Sequence, residues 1–525
     1  MSFAESPEEI ATPERSANRH RSPADWAAMA LTVCFIVATI LCAFYSSLTR
    51  QSWIPFAEDD FFYYLKVAQN LVHGYGSTFN GLVATNGYHP LWFMMIATLS
   101  FFSTSAIAIK FFLSTALAVS TLATYFLCRA LMYRAGLKRY GTEGLLAGAL
   151  ACYCAIYSMH LYFSGMEVTL TIPLILLLAC VLQREDLWSG GFGRFACLGL
   201  LVSAVVLSRL DTSILMALLF AGIVMHPALR GRIRREHLAG LTTGVIPLFV
   251  YFISNQIFFR TWLPVSGMAK QLKPGHYPTS EAWQSLFHKT PLQLVNVAVV
   301  LAAICLLPLL FKRLTSIQSV LYSCLLVFPF LYLFILSCVS DWKLWDWYFY
   351  GLRPAMCVAL ILFATWRPTA QLLRNVYVTG LVATAMFVYV AKMRRTSVGG
   401  QTMYQTAIFV QGFSATHPGV YAMGDRSGMV GYLLPDPLVQ TEGLVMDRDF
   451  LDLVKRQTPL REALKQYGVH YYISVATKPY AGCYRAAEPY EAGPASPHMV
   501  AEFCEPPVAE YTDTDGLKTL VYDLE

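Results

Sequence analysis

Uninterrupted apolar stretches of about 20 residues decide what this chain can become, because a helix of that length matches the hydrocarbon thickness of a bilayer. Trp26 to Tyr45 contains no charged residue, and neither does Ala239 to Phe259. Comparable stretches recur at 26–47, 106–130, 143–160, 167–183, 195–208, 212–226, 239–259, 292–311, 317–339, 351–366 and 375–391, which predicts eleven membrane-crossing helices. Hydrophobic residues make up 56% of the chain and charged residues 14%. Soluble proteins carry roughly a quarter charged residues, so a soluble fold is excluded. A further apolar run, Pro90 to Phe102, has only 13 residues. About 20 Å of helix falls short of a core of about 30 Å, so this run predicts a re-entrant or interfacial helix opened by Pro90.

Charge sets the orientation. With 90–102 not spanning, the basic loops fall on one side: Arg129, Arg134, Lys138 and Arg139; Arg184 and Arg194; Arg230, Arg232, Arg234 and Arg235; Lys312 and Arg313; Arg367 and Arg374. The positive-inside rule puts that side, with the polar N-terminal tail 1–25, in the cytoplasm. The formal net charge of +6 is therefore a matter of topology. No basic patch interleaved with aromatics suggests nucleic acid. The tail 1–25 lacks a basic n-region and a cleavage site, so the first apolar block predicts an uncleaved anchor in the plasma (inner) membrane.

This arrangement divides the chain into a polytopic helical domain, 26–391, and an extracytoplasmic domain, 392–525. Outer segments lie at 48–105, 260–291 and 340–350. The tail alternates in character and predicts a small α/β domain. Val420–Met423, Tyr471–Val475 and Thr519–Leu524 read as strands, Arg448–Lys455 and Pro459–Tyr467 as helices. Most of the thirteen cysteines lie in apolar blocks as small buried hydrophobes, and no C-x-x-C metal spacing occurs. Cys483 and Cys504 stand alone in the tail, in a compartment that permits disulfides, and are expected to pair.

The outer segment after the first span is the most informative. In Ala57-Glu58-Asp59-Asp60-Phe61-Phe62-Tyr63-Tyr64-Leu65, the positions Phe61, Tyr64, Leu65, Ala68, Leu71 and Val72 trace one apolar helix face. Asp59 or Asp60 can cap its start and Gly74 its end. The pattern predicts an amphipathic helix lying on the outer membrane surface. Adjacent carboxylates at a helix start are most often caps. At a membrane edge beside apolar surface they can also be tuned as bases toward a hydroxyl. A turn-rich stretch follows, Gly74-Tyr75-Gly76 and then Thr85-Asn86-Gly87-Tyr88-His89-Pro90-Leu91-Trp92. His89 suits a phosphate or a sugar, though a lone loop histidine is more commonly a hydrogen-bonding residue.

Polar residues at the membrane edge carry a functional expectation by default. Glu167 opens a span from the outer side. Arg209 and Asp211 lie between two short apolar blocks, where pairing with each other is an equal alternative to binding substrate. Lys270 lies in an outer loop. Lys343 and Arg353 flank the run Trp345-Asp346-Trp347-Tyr348-Phe349-Tyr350, which also suits an interfacial aromatic belt. A lipid-linked phosphate needs cations at headgroup level, and an acceptor hydroxyl needs a carboxylate base.

In this order, an acidic pair after the first span, an aromatic run, a G-x-G turn and T-N-G-Y-H-P-L-W, the chain resembles bacterial GT-C glycosyltransferases. These are relatives of protein O-mannosyltransferases and actinobacterial arabinofuranosyltransferases. The G-M-E, S-R-L-D and L-P-x-S-x-x-x-K stretches fit the same group, as do Gly424-Asp425-Arg426-Ser427-Gly428 and Thr441-Glu442-Gly443-Leu444 in the tail. The resemblance implies a GT-C-like membrane domain and transfer of a sugar from a polyprenyl-phosphate donor, with inversion, to a glycan, lipid or protein acceptor. By position, Asp60 is the first choice for the base and Asp59 the second. Lys270, Arg209 and Arg353 are candidates for the departing phosphate. Glu167, Asp211, His89, Asn86 and Tyr348 are candidates for substrate binding. A divalent metal, Mg or Mn, is left open at Asp59, Asp60 and Glu167. Two rivals stand against this reading: a transporter or flippase of lipid-linked glycans, and a non-catalytic scaffold. The first would call for charges buried in mid-span and broken helices repeated in two halves, neither of which the sequence displays.

Overall fold

The computed structural model describes residues 54–137, 165–288, 291–366, 398–475, 477–514 and 516–524, with scattered residues elsewhere. Its first part is helical. Among the described residues, four helices are long and apolar enough to cross a membrane: Ala106–Arg134, Gln293–Arg313, Ser316–Val339 and Asp346–Trp366. The pair Arg235–Gly244 and Ile246–Phe259, bent by 41°, makes a fifth if taken as one span. The protein is thus a membrane protein.

The expected spans 167–183, 195–208 and 212–226 form the helices Val168–Leu182, Phe192–Ser208 and Ser213–Met225, of 15, 17 and 13 residues. At about 1.5 Å per residue these fall short of a core of about 30 Å. Of 26–47 only Trp26, Ala30, Val33, Cys34 and Val37 are described, and of 143–160 only 146–148, 150, 151 and 154. The expected span 375–391 lies outside the described residues. The short run Pro90–Phe102 is a helix of 13 residues with Pro90 in its first turn, where a missing N–H costs nothing.

The outer helix, Asp59–Val72, departs from expectation in an instructive way. Its N-cap is Glu58, with no side-chain capping bond, so neither aspartate caps it. Gly74 closes it at φ 86°, and Tyr75 N–H returns to Asn70 O at 2.9 Å, a C-terminal turn that suits glycine. The helix is not laid on a surface with one wet face. Phe61, Phe62, Tyr63, Tyr64, Leu65, Val67 and Ala68 are all buried, because the C-terminal region covers the side that the periodicity assigned to water.

That region carries a five-stranded sheet in the order β2-β1-β3-β8-β7. Here β1 is Tyr421–Met423, β2 Leu438–Gln440, β3 Tyr471–Ser474, β7 Ala509–Thr512 and β8 Lys518–Asp523. β1 pairs in parallel with both β2 and β3, and β8 runs antiparallel to β3. Parallel neighbours need crossovers. Helix Ser427–Leu433 links β1 to β2, and helices Arg448–Lys455 and Leu460–Gln466 link β2 to β3. A second, antiparallel sheet has β5 (Cys483–Glu488) between β4 (Lys478–Tyr480) and β6 (Met499–Phe503). The loops at the carboxyl ends of β1 and β2, 424–428 and 441–444, face the outer helix and the loop at Gly87. A Cβ on Gly87 would lie 1.9 Å from Leu444 O.

Cys483 and Cys504 are joined in a disulfide that ties the start of β5 to the end of β6, 21 residues apart in sequence. A loop of that size is worth about 3 kcal/mol in the chain-entropy account. Both cysteines should resist alkylation in the unreduced protein, and Cys483→Ser should lower the stability of this region by about that amount in urea unfolding. Alkylation of either thiol without reductant would contradict the bridge.

Candidate active site

The outer helix, three loops and the tops of two spans enclose a cavity of about 330 Å³. Asp60, His89, Glu167, Arg209, Asp211, Lys270 and Tyr348 all line it, together with Tyr63, Tyr64 and an apolar wall that includes Ile214, Ile335, Leu336 and Val339. Residues spread over nearly 290 positions of sequence therefore converge on one space.

Local packing explains how each is delivered. Glu167 follows a tight turn at Gly165, whose φ is 84°. A Cβ there would sit 2.2 Å from the ring of Phe61, so the turn closes against the outer helix only because the residue is glycine. Trp92 Nε1 donates to Gly165 O at 2.7 Å and pins the turn from the other side. Asn86, fully buried, does not line the cavity. Its Oδ1 accepts from Val265 N–H at 3.0 Å and its Nδ2 donates to Thr261 Oγ1 at 3.0 Å. It joins the loop before Pro90 to the loop that carries Lys270.

Arg209 is the electrostatic centre. It is 2% exposed and Glu167 is 1% exposed. Arg209 Nη1 meets Glu167 Oε1 at 2.5 Å, and Nε meets Asp211 at 3.1 and 2.9 Å. Tyr332 and Tyr350 hydroxyls donate to Asp211 at 2.7 and 2.8 Å. The guanidinium stacks 4.7 Å from the Tyr350 ring and 5.2 Å from that of Tyr348. The pairing alternative for Arg209 and Asp211 therefore holds, and Glu167 shares in it. Tyr64, one helical turn after Asp60, donates to Glu167 Oε2 at 3.3 Å and accepts from His89 N–H at 3.3 Å. His89 Nδ1 accepts from Leu210 N–H at 3.4 Å, and its Nε2 lies 3.7 Å from Glu167. Burial first, with Arg209 and Lys270 assisting, holds the His89 pKa below its usual value.

Lys270 Nζ donates to Tyr348 OH at 2.5 Å and lies 5.1 Å from that ring and 5.7 Å from the Trp342 ring. Burial alone would lower its pKa, but Tyr348, Asp60 and Glu442 outweigh that and raise it, so it stays an ammonium. Asp60 lines the same cavity and interacts with it electrostatically. Burial raises the Asp60 pKa above the ordinary 3.8, Lys270 and Arg209 oppose, and Glu167 and Asp425 add to the rise.

Asp59 does something else. Its two oxygens accept from Gly428 N–H and Met429 N–H, each at 2.8 Å. Burial pushes its pKa up to about 7 against the pull of those two donors. Arg353 does not join the cavity; it is fully buried in helix Leu352–Trp366.

Among the described residues, no group of three or more His, Cys, Asp or Glu side chains is placed to hold a metal ion. The three carboxylates considered for one are differently engaged: Asp59 by two backbone amides, Glu167 at the cavity wall by Arg209, and Asp60 at another part of the wall. As arranged they do not fit a shared metal.

Sequence reasoning named Tyr348 but missed Tyr64 and Tyr332. Tyr64 had a signal, its i+4 spacing from Asp60 on one helix face. Tyr332, inside a long apolar span, had none.

No protein-family model matches the sequence, and no curated protein matches it either. Solved structures do. The apo oligosaccharyltransferase of Archaeoglobus fulgidus aligns with a TM-score of 0.51 at 11% identity, over 86% of this chain and 70% of that one. The archaeal oligosaccharyltransferase AglB from the same organism, in complex with an inhibitory peptide and a dolichol-phosphate, gives the same values. Apo ArnT from Cupriavidus metallidurans aligns at 0.52 and 12% identity, over 85% of this chain and 93% of that one. The chain has the GT-C fold of these glycosyltransferases.

The buried network makes a stability prediction. Glu167→Ala removes one partner of a buried guanidinium and should cost roughly 3–5 kcal/mol. Lys270→Ala, at the partly exposed cavity wall, should cost well under half of that. Chemical unfolding of both variants in detergent checks the order; equal costs would contradict it.

Proposed function

We propose that this protein is a membrane glycosyltransferase that moves a sugar from a polyprenyl-phosphate donor to a glycan, lipid or protein acceptor on the outer face. The observation that carries this reading is the placement of Asp60 and Lys270 in one cavity with an apolar wall. A carboxylate free to take a proton shares it with a cation free to take a phosphate, and the wall of Ile214, Ile335, Leu336 and Val339 suits a lipid. AglB of A. fulgidus, which shares the fold, binds a dolichol-phosphate.

The reaction is a single displacement. The acceptor hydroxyl attacks the anomeric carbon as the carbon–oxygen bond to phosphate breaks, which inverts that centre. Asp60 takes the hydroxyl proton. The bonding pair leaves on the lipid phosphate, where Lys270 Nζ and the Tyr348 hydroxyl offset the charge. Arg209 acts through Glu167 and Asp211 and does not clamp the phosphate itself. His89, neutral, offers an N–H toward bound sugar. The reaction balances without a metal step.

The basic loops lie in the cytoplasm of this reading and the C-terminal domain outside, in the plasma (inner) membrane. Reporter fusions after residue 140 and at the C-terminus should report opposite sides; both on one side would overturn that orientation.

Asp60→Asn keeps the shape of the side chain and removes the proton acceptor, so transfer should fall about 10²–10⁴-fold while the protein still inserts and melts normally. Normal transfer by this variant overturns the mechanism. The pH dependence has a definite sign. The base must be ionised, and burial raises its pKa above 3.8, so kcat/KM should decline on the acid side with a midpoint above the usual carboxylate range of about 4. Lys270→Met removes the cation that lowers this pKa, so the midpoint should move to higher pH. A midpoint that stays put or moves to lower pH would separate Lys270 from Asp60.

A further inference from the structure

Two neighbouring aspartates point to different places, and that difference carries an inference. In a helix, residues four apart share a face and adjacent residues do not. Asp60 and Tyr64 line the cavity, with Tyr63 at its border, and Tyr64 reaches Glu167. Asp59 and Tyr63 form the pair that meets the outer domain: Asp59 at Gly428 and Met429, and Tyr63 OH at Ser427 Oγ, 2.9 Å away. The contact continues along the helix. The Phe62 ring lies 5.4 Å from that of Tyr432, and Lys66 Nζ donates to Leu434 O at 3.4 Å.

The outer domain is shaped for this contact. Helix Ser427–Leu433 presents Gly428 and Gly431, three apart, toward the first outer segment. A Cβ on Gly428 would lie 2.2 Å from Asp59 O and 2.8 Å from its Oδ2; one on Gly431 would lie 2.3 Å from Phe79 Cζ. The segment cannot approach this closely with larger residues. Both carboxylate oxygens are committed, to amide donors from a segment almost 370 positions away in sequence. Burying that carboxylate is costly, as its pKa near 7 indicates. A simple helix start would not need it there, since Glu58 already occupies the N-cap.

We infer that Asp59 is a positioning residue: by capturing the Gly428 and Met429 amides it locks the outer helix beneath the outer domain and thereby holds Asp60 in the cavity. This rests on the reading above only in taking Asp60 as the base. It gives the Gly424–Gly428 loop a task, which is to clasp the helix that carries the base, and it makes the outer domain part of the catalytic apparatus without a residue of that loop touching substrate.

The test uses the full-length protein in lipid nanodiscs, with Asp59→Asn, Gly428→Ala and the double variant. An amide side chain can accept from one of the two N–H groups but sets its own NH₂ against the other. Gly428→Ala changes no charge and lies outside the cavity. Hydrogen exchange of the Gly428 and Met429 amides should accelerate about 10- to 100-fold in both single variants, the worth of a hydrogen bond to a charged acceptor. Exchange in β5 and β6 should stay unchanged. In transfer assays kcat should fall about tenfold or more in both, with the donor KM within about twofold of wild type, and the double variant should be no slower than the worse single one.

Unchanged exchange overturns the clasp. Faster exchange with unchanged kcat makes the contact structural only and overturns the positioning role. If Asp59→Asn abolishes transfer while Gly428→Ala leaves it normal, Asp59 acts chemically and the inference fails. If the wild-type protein transfers no sugar, the glycosyltransferase reading fails separately. The inference is then decided by isotope-edited infrared titration of the Asp60 carboxyl: Gly428→Ala must shift it, and an unshifted titration overturns the positioning role.

Discussion

Everything at the cavity depends on one buried cation with too many partners. Arg209 sits at 2% exposure between Glu167 and Asp211. A guanidinium buried in this way is costly unless its charge and its fork of donors are met. Here Glu167 meets one arm, Asp211 the Nε edge, and two tyrosine rings the faces. Each partner is fixed in turn. Tyr64 and His89 reach Glu167, and Tyr332 and Tyr350 reach Asp211. The outer helix, the turn at Gly165, the break between two short helices and the top of Ser316–Val339 are thereby tied to a single point. Removing one partner leaves a buried charge exposed to nothing, so the network holds as a unit or not at all.

That rigidity leaves two groups outside it, and they are the ones the proposed mechanism uses. Asp60 and Lys270 line the same cavity, and each shifts the other's ionisation. The shift on Asp60 comes first from burial, which makes a carboxylate a better proton acceptor than it is in water. Lys270 limits that gain, and in the proposed mechanism it supplies the charge that a departing phosphate requires. Asp59, one residue away, has both its oxygens on backbone amides of the C-terminal domain. Adjacent carboxylates thus divide into one bound to backbone amides and one that lines the cavity.

The sequence made some of this plain and hid the rest for physical reasons. Apolar block length located the long helices and the short one at Pro90–Phe102. Periodicity located the outer helix, and the alternation in the tail located β1, β3, β8 and two helices within about a residue. It misjudged what the outer helix faces, because an apolar stripe tells which side is buried first, not whether a second domain will later cover the other. Seven of the ten candidate site residues line one cavity. Asn86, Arg353 and Asp59 were nominated by residue type and position, and type does not reveal direction: Asn86 bonds a loop, Arg353 faces the helix packing, and Asp59 faces away. Tyr332 stayed hidden because an aromatic residue in an apolar span looks the same whether its hydroxyl meets lipid headgroups or a buried aspartate.

The central claim is that this cavity receives a lipid-linked phosphate between Lys270 and Asp60. The most direct measurement is a structure determined by electron microscopy with a polyprenyl phosphate bound. The account predicts the phosphate within hydrogen-bonding distance of Lys270 Nζ and Tyr348 OH, with the prenyl chain against Ile214, Ile335, Leu336 and Val339. A phosphate bound elsewhere on the molecule, with this cavity left to solvent, would contradict it.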